Sequence, residues 1–201
     1  MTGEPPHIAP TGQECPTRHI VVMGVAGAGK TTVARHISEV TGLTFGEADE
    51  FHPEANVARM RAGIPLDDAA RWPWLQALAA WMADRHRDGV STVLACSALR
   101  RSYRDLLRQG PPSVQFVHLD GPTEVIRERM STRAGHYMPV SLLDSQIATL
   151  EPLGPDEDGM VLDLRLPAGQ LAISVADRLG PPARPGSVMT GESRPSDGLP
   201  R

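Results

Sequence analysis

An α/β fold built on a five-stranded parallel sheet follows from three observations on the sequence. Short apolar runs alternate with amphipathic stretches along the chain, the pattern of a parallel sheet covered on both faces by helices. The first such run, Ile20-Val21-Val22-Met23, leads directly into Gly24-Val-Ala-Gly-Ala-Gly-Lys30-Thr31, a GxxxxGKT phosphate-binding loop. With 40% apolar residues among 201, the chain suits one domain with a sizeable core.

The first strand is expected at 19–24 and the first helix at 30–41. Between them Gly24, Gly27 and Gly29 let the backbone turn tightly, so that amide N–H groups converge on phosphate oxygens at the positive end of the helix. Ala26, Ala28 and Thr32 complete the nucleotide-binding set, Lys30 bridges the terminal phosphates of ATP, and Thr31 offers the hydroxyl that ligates Mg²⁺. A chance Gly-rich turn is the competing reading; the order strand, loop, helix argues against it.

A second strand at 43–46 delivers Glu47-Ala48-Asp49-Glu50-Phe51-His52-Pro53 to the same edge of the sheet as the phosphates. Asp49 is the candidate to accept or orient the proton of an attacking hydroxyl, with Glu47 near Mg²⁺ through water. Taken alone, the acidic tripeptide is equally a solvated loop. A helix at 54–62 follows, then one at 72–87, where Trp74, Leu75, Leu78, Trp81 and Met82 recur at helical spacing as one buried face. Core packing is preferred over ligand stacking for these tryptophans, and Pro73 falls where a first helical turn tolerates it.

The third strand, 91–95, ends in Cys96-Ser97-Ala98 and is followed by a basic helix at 99–109. Ser97 and Arg100 at a strand's C-terminal end can take a substrate hydroxyl or carboxylate, although the basic run alone also reads as a solvated helix face. Cys96 reads as small core packing, since direct phosphoryl transfer needs no nucleophilic thiol. After a strand at 114–119, the helix at 122–133 carries Arg127, Arg129 and Arg133 and runs into the mobile-looking segment 134–139. This suits a lid around 129–140 that brings arginines to a transferring phosphoryl group; a charged helix with Glu128 as local partner is the other reading. A helix at 140–149, a strand at 160–164 and a helix at 168–179 complete the domain. The whole predicts a P-loop nucleoside triphosphate hydrolase-like three-layer sandwich with a mobile lid, over 18–180. The Pro-rich ends, 1–17 and 181–201, read as a disordered leader and tail.

Twenty basic against 24 acidic residues, net −4, leave no electrostatic footprint for nucleic acid. Two cysteines, Cys15 and Cys96, make no disulfide framework and fit a reducing, cytoplasmic setting. No apolar stretch is long enough to span a membrane, the leader lacks the basic and apolar regions of a secretion signal, and no His/Cys cluster has zinc spacing.

Beyond the phosphate loop, Ala-Asp-Glu-Phe-His-Pro at 48–53, Asn56 through Met60, Gly-Ile-Pro-Leu-Asp-Asp at 63–68, Arg-Trp-Pro-Trp-Leu at 71–75, Cys-Ser-Ala-Leu-Arg-Arg-Ser-Tyr-Arg-Asp-Leu-Leu-Arg at 96–108, Gly-His-Tyr-Met-Pro at 135–139 and Asp-Ser-Gln-Ile-Ala-Thr-Leu-Glu-Pro-Leu at 144–153 together resemble the bacterial gluconate kinases, over roughly 18–179. The resemblance implies ATP- and Mg²⁺-dependent phosphorylation of D-gluconate to 6-phosphogluconate, usually by a homodimer. It implies substrate-site roles for Asp49 and His52, for Arg59 and Arg100 around the carboxylate, and for His136. By the same resemblance Arg129 and Arg133 are lid arginines, and the loop from Asp163 to Pro167 borders adenine. Glu47-Ala48-Asp49 stands where relatives often have Asp-Gly-Asp, Arg59 where Lys is common, and Ala69 and Ala70 where acids precede the Arg-Trp-Pro-Trp segment. Two alternatives remain: another small-molecule kinase of the shikimate type, against which the Asp49-to-Pro53 segment argues, and a non-catalytic ATP-binding regulatory module.

Overall fold

The computed structural model describes residues 17–132 and 140–180. Arg133, His136 and the rest of 133–139 lie outside the described residues, as do 1–16 and 181–201. Among those described, five strands form one parallel sheet in the order β2-β3-β1-β4-β5: β1 His19–Met23, β2 Thr44–Glu47, β3 Thr92–Ala95, β4 Gln115–Asp120 and β5 Gly159–Asp163. The helices are α1 Lys30–Thr41, α2 Glu54–Arg61, α3 Asp68–Arg87, α4 Arg101–Leu107, α5 Thr123–Thr132, α6 Val140–Thr149 and α7 Ala168–Leu179.

Period-two alternation sorts each central strand onto two cores. Ile20, Val22, Val93, Ala95, Val117 and Leu119 face one way, onto Val33 and Ile37 of α1 and Leu171 and Val175 of α7. Val21, Met23, Leu94, Cys96 and Phe116 face the other, onto Trp74, Leu75, Leu78 and Met82 of α3 and Leu106 and Leu107 of α4. Both faces are therefore dry, which is why these strands read as unbroken apolar runs rather than alternating ones. Gly46 allows close packing of β2 under α3, since a Cβ there would lie 2.8 Å from Trp81 Cη2. Trp81 in turn meets Phe51 edge-on at 5.8 Å.

Helices α3 and α4 depart from the sequence expectation by more than one residue. Helix α3 begins at Asp68 rather than 72, so Pro73 is the sixth helical residue and not part of a first turn. The cause is Asp67, an extended N-cap whose carboxylate accepts the Ala70 N–H at 2.8 Å, followed by the strong helix formers Ala69 and Ala70. Helix α4 starts only at Arg101, because Arg100 is extended and Ala98 takes a left-handed φ of 41°. A 3₁₀ turn at Ala48–Phe51, absent from the sequence reading, directs the acidic segment across the end of the sheet.

Candidate active site

The C-terminal ends of the strands open into a cleft of about 580 Å³. The loop from Gly24 to Gly29 forms one part of it. Gly24, Gly27 and Gly29 take φ values of 137°, 80° and 97°, which side-chain-bearing residues adopt only with strain. At Gly27 a Cβ would also meet Met130 Cγ at 2.7 Å. Left-handed Gly29 caps α1 without a side-chain acceptor, and the first turn carries no acid. The first-turn N–H groups of Lys30, Thr31 and Thr32 and the positive end of the helix dipole are thus presented to an anion. Lys30 Nζ donates to the Val25 carbonyl at 3.1 Å, inside the curl of the loop.

Thr31 Oγ1 donates to Glu47 Oε2 at 2.8 Å, joining the start of α1 to the end of β2. A hydroxyl and a carboxylate at the edge of a phosphate cradle are hard oxygen donors and fit Mg²⁺. Burial raises the Glu47 carboxyl above its ordinary value, and Asp49 adds to this, while the Thr31 bond and Lys30 pull the other way. Asp49 and His52 also line the cleft, with Ser97 and Cys96 from the end of β3. His52 stacks on Trp74 at 4.2 Å and 14°, and Trp74 Nε1 donates to the Ala48 carbonyl at 2.7 Å. Trp74 is accordingly both core and floor of the cleft. Burial pushes the Cys96 thiol up to about 12, which leaves it neutral and inert.

Arg129 of α5 already touches the phosphate loop: NH1 donates to the Ala28 carbonyl at 3.4 Å, and NH2 to the Leu164 carbonyl at 2.7 Å. It therefore ties the loop to the Asp163-to-Pro167 segment. There Asp163 is pushed down to about 2 by its bonds from Arg165. Arg59 and Arg100 line up outside the cleft, paired with Asp67 at 3.5 Å and Asp68 at 2.6 Å.

Three features were not assigned from sequence. Gln146 of α6 accepts the Ala26 N–H at 2.7 Å and lines the cleft. Arg61 and Arg71 line it too; the three-residue step from Arg71 to Trp74 on one helix was the available signal. Arg104, in the basic run that also read as a solvated face, is fully buried. It makes a two-pronged pair with Glu157 at 2.7 and 2.8 Å and donates to the carbonyls of Ala98, Glu151 and Pro152. This arginine fixes the bend that carries Ser97, whose carbonyl accepts the Gly24 N–H at 3.3 Å.

A parallel sheet with a Walker-type loop, an acidic segment after the neighbouring strand and a deep cleft beside them define a P-loop kinase. A family model described as an AAA domain matches residues 20–153. The gluconokinase of Gluconobacter oxydans (strain 621H) is 49% identical over 140 residues, 70% of this chain and 79% of that protein. The thermosensitive gluconokinase of Escherichia coli (strain K12) is 41% identical over 141 residues, 70% of this chain and 75% of that one. The chain belongs to the gluconokinase family. Two solved structures agree. A sugar kinase from Janibacter sp. HTCC2649 is 62% identical with a TM-score of 0.79, covering 82% of this chain and 95% of the other. A gluconokinase from Sinorhizobium meliloti 1021 is 42% identical with a TM-score of 0.73, covering 83% and 95%. A shikimate kinase from Acinetobacter baumannii, at 19% identity and a TM-score of 0.53, shares the fold alone.

Proposed function

We propose that the chain transfers the γ-phosphoryl group of ATP to the terminal hydroxyl of D-gluconate, giving 6-phosphogluconate and ADP. The observation that supports this best is a cleft lined together by Lys30 and Thr31 of the phosphate loop, by Asp49 and His52, and by Arg61 and Arg71. It offers phosphate binding, a proton acceptor and cationic groups for an acidic acceptor in one cleft.

In this reading the loop amides and Lys30 hold the phosphates and neutralise charge as it builds on the transferring group. Asp49 accepts the proton of the attacking hydroxyl, and the His52–Trp74 stack orients the acceptor beside it. Ser97 takes a further hydroxyl and the family pattern adds His136 to the substrate site, while Arg59 and Arg100, expected around the carboxylate, are paired with Asp67 and Asp68 outside the cleft lining. Thr31, and Glu47 through water, would hold Mg²⁺, which when bound supplies positive charge between the phosphates. Arg129, with Arg133 and the lid around 129–140, excludes water from the reacting groups. Gly24, Ala26, Gly27, Ala28, Gly29 and Thr32 make the phosphate cradle, and Asp163 to Pro167 border the base.

The same reading carries a homodimer, a cytoplasmic location, and no nucleic-acid or membrane partner. It is supported by family likeness, by the balanced charge, and by the finding that no helix among the described residues is long and apolar enough to cross a membrane. ADP release with MgATP is to be measured for D-gluconate, glucose, shikimate and nucleoside monophosphates. Gluconate is expected to lead by a wide margin at a turnover of about 1–100 s⁻¹; an equal or faster rate with any of the others removes the assignment.

A further inference from the structure

An acceptor with a carboxylate needs a cation that faces the cleft and whose donors are not already hydrogen-bonded to a carboxylate. Arg59 and Arg100 do not meet that condition, since each is held by an aspartate and neither lines the cleft. Arg71 does line it. Its NH1 donates to the Tyr103 hydroxyl at 3.1 Å, whereas its nearest carboxylate oxygen, Asp68 Oδ1, lies 3.8 Å away, beyond hydrogen-bond reach. The reason lies in Asp68 itself: Oδ2 accepts from Arg100 at 2.6 Å, and Oδ1 accepts from the Tyr103 hydroxyl. Asp68 thus spends its hydrogen-bond capacity on Arg100 and Tyr103, and its ion pair with Arg71 stays loose.

The Arg71 side chain is 25% exposed, in a cleft that the apolar residues Leu66, Met60 and Ile64 also line. A guanidinium in such surroundings attracts an anion more strongly than one in open solvent. Its place is also close to the reacting end. Arg71, Asp49 and His52 all line the cleft, and His52 stacks on Trp74, one turn along α3 from Arg71. The Trp74 indole, one turn along α3, anchors this part of the helix through its bond to Ala48.

We propose that Arg71 binds the acceptor's carboxylate through its guanidinium fork, and that Arg100 and Tyr103 are positioning residues that take up the hydrogen bonds of Asp68. This rests on the sugar-acid reading given above. The step is one of binding only: carboxylate specificity comes from Arg71, and Arg100 acts through Asp68.

The test compares D-gluconate with its uncharged amide, D-gluconamide, as acceptors for the unsubstituted protein and for Arg71→Gln, Arg71→Lys and Arg59→Gln. Arg71→Gln should raise KM for gluconate by about 10- to 100-fold, the range of a charge-assisted hydrogen bond, with KM for ATP and for gluconamide moving by no more than about twofold. The preference for acid over amide then collapses. Arg71→Lys, which keeps charge and stem but loses the fork, should lose several-fold of that preference, and Arg59→Gln none. An unchanged acid-to-amide ratio in Arg71→Gln, or in Arg71→Lys if the glutamine variant does not fold, overturns the assignment while leaving gluconate phosphorylation standing. No gluconate turnover by the unsubstituted protein removes both.

Discussion

At the scale of single residues, the site separates groups that act on charge from groups that hold shape. Lys30 lines the cleft and donates to the Val25 carbonyl inside the loop, and it belongs to neither hydrophobic core. Lys30→Ala is expected to lower kcat by about 100-fold or more, because a fixed cation at the transferring phosphoryl group is lost. Melting temperature should barely move; a large drop with kcat preserved per folded molecule would refute this division. Asp49→Asn keeps the shape and loses the proton-accepting charge, which predicts a fall of about 10²- to 10⁴-fold in kcat. Near-normal turnover at saturating gluconate would show that Asp49 is not the base.

At the scale of elements, the buried Arg104–Glu157 pair makes a joint between α4, the bend after β3 and the approach to β5. Both side chains are fully buried, and removing one partner leaves the other charge stranded in a dry interior. Arg104→Met should therefore destabilise the domain by about 3–5 kcal/mol, and the double change with Glu157→Leu by clearly less. Urea unfolding of the two variants decides: equal losses would mean that packing, not the pair, sets the cost. Much at this scale was legible in the sequence. All five strands and seven helices were expected close to where they lie, because apolar period and glycine punctuation report local structure directly. Non-local facts were not legible. The buried fate of Arg104 depends on Glu157, 53 residues away in sequence. The orientation of Arg71 depends on how Arg100 and Tyr103 engage Asp68. The early start of α3 was not legible because Pro73 alone suggested a first turn, whereas the Asp67 cap sets the boundary. The phosphate loop, Asp49 and Ser97 follow strand ends and His52 was pointed to by the family resemblance, and all of them line the cleft, whereas Gln146 reaches the loop from a distant helix.

At the scale of the whole molecule, acid stability follows from histidines that fold buried and neutral. His19 on β1 is 1% exposed. Its Nδ1 bonds Thr92 Oγ1 at 2.9 Å and its ring lies 5.5 Å from that of His86, which also contacts Thr17. Burial first, and the neighbouring His86 second, lower its pKa from 6.5 to about 4. His52 and His118 are lowered too, mainly by burial. Below pH 6.5 the unfolded chain binds protons that the folded chain refuses, so stability is complete above that pH and declines as pH falls toward about 4; His19 alone accounts for about 3 kcal/mol across the window. Glu47, raised by burial, works in the opposite direction, but it is one group against three. For Glu157 burial also opposes ionisation, yet the Arg104 bonds win and hold its pKa below 4.5, so its contribution is lost only at lower pH. Acid unfolding should accordingly set in before the paired carboxylates titrate. Melting temperatures between pH 7 and 4 are expected to fall for the unsubstituted protein and to fall less steeply for His19→Gln, whatever that variant's stability at neutral pH. Parallel slopes for the two would show that His19 is not among the groups that take up the proton.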